Sequence, residues 1–177
     1  MSTGQMLMTI LAMALLTTVL TNFYVIVGDT GSDIARGQED ILETAIATSW
    51  AEMAQGLAFD NVTDTSDIAF KNPTALTAPD DLGVDGSESI DKDSTFNDFD
   101  DFNGATLTKT AGSTGKGYTT HFTVSYVDTS NVNAVVNYRT FVKRMDMATW
   151  RSIPPPGKNE RVDTMHTSII YSYFNFN

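Results

Sequence analysis

From Met1 to Val27 the chain carries no charged side chain. As a helix, residues 6–27 would rise about 33 Å, close to the thickness of a bilayer's hydrocarbon core. A helix that is apolar on every side must be surrounded by lipid or by other apolar helices. Three fates follow: a cleaved signal peptide, a membrane anchor, or the core-forming element of an assembly. A signal peptide would show a basic start, a shorter apolar run and a small-residue cleavage site. Here only Met-Ser-Thr-Gly precedes Gln5, and no A-x-A-like site follows Val27, which argues against that fate. The flank beyond holds Asp29, Asp33, Glu39, Asp40 and Glu43 against Arg36 alone. Lys and Arg mark the cytoplasmic side of a span, so this flank is compatible with export of the C-terminal part.

The pattern changes at Asp33. Ile34, Ile41, Leu42, Ala45, Ile46, Trp50, Met53 and Leu57 recur at helical spacing. Arg36, Glu39, Asp40, Glu43 and Glu52 make the opposite, polar face. Asp33 suits an N-cap, and Gly56 or Asp60-Asn61 suits a helix end. Gly28 and Gly31, two glycines in four residues, predict a break between the two helical parts. The expected organisation is therefore an apolar helix over 1–32 and an amphipathic helix over 33–59. An Asp-rich loop region over 60–117 and an antiparallel β-sheet over 118–177 complete it, giving an α+β fold.

Charge narrows the partners. The net charge is -11, which argues against nucleic acid, whose phosphates need a basic face. Residues 1–104 carry 18 acidic and 3 basic side chains, whereas residues 105–177 carry 4 and 8. Such asymmetry suits head-to-tail association of identical subunits. With no cysteine in the chain, no disulfide can staple the exported part.

This layout resembles the type IV pilins and pseudopilins, over roughly residues 1–60 and in domain order thereafter; the segment "DFDDFNG" (98–104) is a softer likeness. The resemblance implies a structural subunit, not an enzyme, of an extracellular pilus-like filament with roles such as cell adhesion. Its helix would wait in the inner membrane and then pack against identical subunits in a helical homopolymer. Met6, Leu7, Ile10, Leu11, Leu15, Leu16, Leu20 and Phe23 would line the filament core. An assembly machinery with an ATPase motor and a membrane platform would extract the subunit. A minor pilin or pseudopilin of a pilus or secretion system has nearly the same features, and a membrane-anchored surface binding domain is a third reading. The chain departs from the family in lacking a basic leader ending in Gly and a Glu at the fifth mature position. Cleavage after Gly4 would leave Gln5 first and Thr9 fifth; without cleavage Gln5 itself stands fifth, is close to isosteric with Glu and can accept a hydrogen bond from a neighbouring N-terminal amine.

Between Asp80 and Asp101 lie nine acidic residues and only Lys92 to balance them. Asp91, Asp93, Asp98, Asp100 and Asp101 are candidate ligands for Ca2+, a hard cation that takes carboxylate oxygens. The EF-hand spacing is not met, and the other reading is a solvated acidic loop. In that reading Phe96, Phe99 and Phe102 tack it to the core. Apart from Ca2+, no motif points to a cofactor. "AGSTGKG" (111–117) lacks the phosphate-loop spacing and reads as a connection. Asn61-Val-Thr63 is a glycosylation sequon.

Three strands are expected, in "GYTTHFTVSYVD", "NAVVNYRTFVKRMDMATW" and "VDTMHTSIIYSYFNF". The proline-rich stretch 151–162 should be a stiff connection. Pairing of sequence neighbours would set Ile34, Ile41, Ala45, Trp50 and Met53 under Phe122, Val124 and Ile169-Ile170. His121 and His166 read as polar-face strand residues, too few for a zinc site. No G-x-S-x-G marks a hydrolase nucleophile.

Overall fold

The computed structural model describes residues 2–64, 72–112, 115–153 and 163–174. Helix α1 spans Thr3–Gln55. It runs through Gly28 and Gly31, so the expected break is absent. Each glycine costs a helix about 1 kcal/mol relative to alanine, and α1 carries that cost without a break. Around the glycines, Thr30 Oγ1 donates to the Ile26 carbonyl and Ser32 Oγ to that of Asp29, both at 2.8 Å. Such back-bonding to the preceding turn bends a helix slightly without ending it.

The chain divides into two units, Met1–Ile41 and Leu42–Asn177. In the first, residues 2–38 are all exposed. The second is a helix-on-sheet α+β fold. Its sheet is a four-stranded antiparallel meander in the order β1-β2-β3-β4. The strands are β1 (Thr106–Ala111), β2 (Lys116–Tyr126), β3 (Val142–Ile153) and β4 (Thr164–Ser172). β1 falls inside the stretch expected to be loop. The second strand expected from the sequence begins later than its β-branched residues suggest, at Val142. Most of the proline-rich connection, residues 154–162, lies outside the described residues.

The last part of α1 lays Glu43, Ala47, Trp50 and Ala54 on the sheet, a stripe at i, i+4, i+7 and i+11. Trp50 packs edge-on to Phe102 and Phe122. Phe96, Phe99, Val124, Met145 and Met147 complete the core, with Met53 and Ile169 at its margin. Ile34, Ile41 and Ala45 are exposed instead, and Ile170 faces outward. The buried stripe is offset to the face that carries the indole between the small Ala47 and Ala54. After α1 the chain makes the short helix α2 (Asn61–Asp64). Single 3-10 turns follow at Pro73–Ala75, Pro79–Asp81, Asp93–Thr95 and Asp100–Phe102.

Candidate functional site

Two places concentrate chemistry: the apolar surface of α1 and an acid cluster beneath the sheet. On α1, Met6, Leu7, Ile10, Leu11, Leu15, Leu16, Leu20 and Phe23 are all exposed, Leu20 least at 47%. Among the described residues α1 is the one helix long and apolar enough to cross a membrane. Covering this surface would be favourable by about 25 cal/mol per Å² removed from water. At its start, Gln5 Oε1 accepts from the Ser2 backbone N–H at 3.3 Å. That is the reciprocal half of a capping box, in which the side chain at N3 satisfies a free backbone donor.

The acid cluster begins where the chain leaves α1. Ala58 N–H donates to the Asn97 carbonyl at 3.3 Å, and Phe99 N–H to the Ala58 carbonyl at 2.9 Å. This short bridge draws Phe59-Asp60 against the Asp-rich loop. Phe96, Phe99 and Phe102 enter the core, and the carboxyls between them turn inward too. Asp60, Asp98, Asp100 and Asp101 are each at most 2% exposed. They are not a solvated run.

Each of these carboxyls has partners. Asp98 Oδ1 accepts from the N–H groups of Asp100 at 2.9 Å and Asp101 at 3.3 Å. Asp101 Oδ2 accepts from those of Asn97 at 2.8 Å and Asp98 at 3.1 Å. Asp60 Oδ2 accepts from Thr77 N–H at 2.9 Å. Opposite them stands Lys143 of β3, with no exposed surface. Its ammonium donates to the Phe59 carbonyl at 2.8 Å, to Asp60 Oδ2 at 3.0 Å and to Asp100 Oδ1 at 2.5 Å. All three of its N–H bonds are used. The rings of Phe59 and Tyr126 flank the nitrogen at 4.5 and 5.4 Å.

One cation cannot balance four buried anions, and the protonation states respond. Burial first, then the charges of Asp100 and Asp101, pushes the Asp98 carboxyl up to about 8. Burial raises Asp101 to about 7 and raises Asp100 as well. At neutral pH the cluster therefore holds Lys143 against Asp60 and Asp100, with Asp98 largely protonated beside them.

Of the five candidate calcium ligands, Asp98, Asp100 and Asp101 share this interior, whereas Asp91 is exposed and Asp93 opens a separate 3-10 turn. Among the described residues no three His, Asp or Glu side chains are grouped to hold a metal ion. The positive charge in the cluster comes from Lys143. Sequence reasoning missed it, because Lys143 lies 83 residues from Asp60 and 43 from Asp100, and a lysine in a strand signals solvent.

The histidines lie on the outer sheet face, where His121 and His166 flank Ala148 from adjacent strands. His121 Nδ1 and Thr106 Oγ1 are 3.0 Å apart. Asp146 beside them accepts from Arg144 and from Ser168 Oγ. This is a cross-strand polar ladder. In the sequon, Asn61 Nδ2 donates to Asp85 Oδ2 at 2.9 Å. In "AGSTGKG", Gly112 and Gly115 have φ of 47° and 69° at the β1–β2 hairpin; residues 113–114 lie outside the described residues. Searches of protein-family models, curated proteins and solved structures return no match to this chain.

Proposed function

We propose that the chain is the structural subunit of an extracellular, type IV pilus-like helical filament. The observation that carries this reading is the character of α1. Residues 6–27 are apolar and exposed all round, yet the same helix ends as a core element of a folded α+β unit. Such a surface needs lipid before assembly and identical helices after it. In lipid the apolar term is already satisfied, so the helices gain little by associating there. Extraction into a filament therefore requires external work, as an assembly machinery would provide. The charge asymmetry of the two halves supports heterologous, non-closing contacts between copies, which build an open helix.

The test is microscopy of fibres sheared from expressing cells, with Leu11→Asp and Leu16→Asp as variants. An unpaired carboxylate in an apolar bundle is very costly, so both variants should give no fibres. Wild-type chains recovered only as membrane-anchored monomers would favour a surface binding domain. Fibres in which this chain is scarce would make it a minor subunit.

A further inference from the structure

We propose that Lys143 and Asp100 join through an intramolecular isopeptide bond, closing a covalent ring over residues 100–143 of a chain that has no cysteine. The two groups are already in place. Lys143 Nζ sits 2.5 Å from Asp100 Oδ1, and both side chains are cut off from water, at 0% and 2% exposure. The carboxyl carbon is one bond beyond that oxygen. Holding a nucleophile and an electrophile at such range replaces an encounter in solution with effective molarities of about 10⁵ M or more. Burying an ion pair also imposes a desolvation penalty on both ions. An amide carries no charge, so the reaction removes that penalty.

The neighbours supply the proton transfers. Asp60 Oδ2 accepts a hydrogen bond from Lys143 Nζ at 3.0 Å and can take a proton from the ammonium, freeing its lone pair. Asp98, buried against Asp100 with its Oδ1 2.9 Å from the Asp100 backbone nitrogen, can act as the acid that polarises the Asp100 carboxyl. Burial keeps Asp98 protonated at neutral pH, the state a general acid requires. The Nζ lone pair attacks Asp100 Cγ, the new N–C bond forms, and one C–O bond breaks. Of the two protons the nitrogen loses, one rests on Asp60. The other joins the Asp98 proton on the departing oxygen, which leaves as water. Asp60 and Asp98 hold one proton between them before and after, and no electrons are exchanged.

Asp100 rather than Asp60 is the acyl partner because the Asp60 carboxyl is held in place by other donors. Its oxygens accept from the N–H groups of Thr77 at 2.9 Å and Val62 at 3.3 Å. The rings of Phe59 and Tyr126 hem in the reacting nitrogen.

The experiment is a tryptic digest of the full-length, detergent-solubilised protein, denatured and read by tandem mass spectrometry. The expected product is a branched peptide joining 93–109 to 140–144, uncleaved after Lys143 and lighter by one water than its parts. Lys143→Arg and Asp100→Ala should each release the two linear peptides. Asp98→Ala should lower the branched fraction severalfold or more. Linear 93–109 together with cleavage after Lys143 in the wild-type digest would overturn the proposal, whether or not any variant folds. So would loss of water confined to the Asp85-Gly86 peptide, the mark of a succinimide. A branch onto 37–71 would overturn the assignment to Asp100.

Discussion

Asp98 is a carboxyl whose folded environment favours its neutral form. It binds its proton more tightly folded, at about 8, than unfolded, at 3.8. Between those values the folded chain carries the extra proton, so stability falls as pH rises through that window. Below it the contribution is fully present; above about 8 it is lost. Asn at position 98 cannot titrate and still offers an oxygen to the N–H groups of Asp100 and Asp101. Melting temperatures of Asp98→Asn should therefore fall less steeply than wild type from about pH 4 to 8. Parallel profiles would mean that Asp98 does not govern the acid cluster. Little of this was legible in the sequence. The clustering of Asp98, Asp100 and Asp101 is plain in "DFDDFNG", but their burial follows from Phe96, Phe99 and Phe102 dragging the loop inward. Their counter-charge comes from a lysine that ordinary patterning assigns to a solvent face.

At the scale of elements, the joint between α1 and the sheet is the indole of Trp50. It is 1% exposed, meets Phe102 and Phe122 edge-on, and carries the Lys109 ammonium 3.4 Å from its ring centroid. Trp50→Ala should cost about 3–5 kcal/mol, the range for emptying a large aromatic from a core. Denaturant unfolding of the full chain would measure it, and a loss below about 1 kcal/mol would put the packing elsewhere. The helix and the strong alternation of β2 were readable from period alone. β1 was not, because its inward face carries Leu107, Lys109 and Ala111, with a lysine in place of the middle apolar residue, and an Asp-rich run precedes it. The break expected at Gly28 and Gly31 fails for a different reason. Two glycines weaken a helix locally, but they end it only where a competing turn is available.

For the whole molecule, the division at Ile41 carries a prediction of its own. The core of the second unit draws on α1 only from Leu42 onward. A chain lacking residues 1–32 should therefore keep the melting temperature of the head, read by circular dichroism without detergent. Under the proposed filament reading it should also sediment as a monomer. A drop of many degrees would mean that the apolar segment supports the head directly.

The meander order of the sheet also sets a timetable. Every strand pairs with its neighbour in sequence, so each hairpin can zip as soon as it is delivered, with little entropy spent on closing long loops. Trp50 and Ala54 have no such local partners. They are made early and stay uncovered until β2, β3 and the Tyr171 end of β4 arrive. During that interval the head is open to proteases and to wrong partners. A chain of this design is therefore most vulnerable not once it is folded, but in the moments before its last strand emerges.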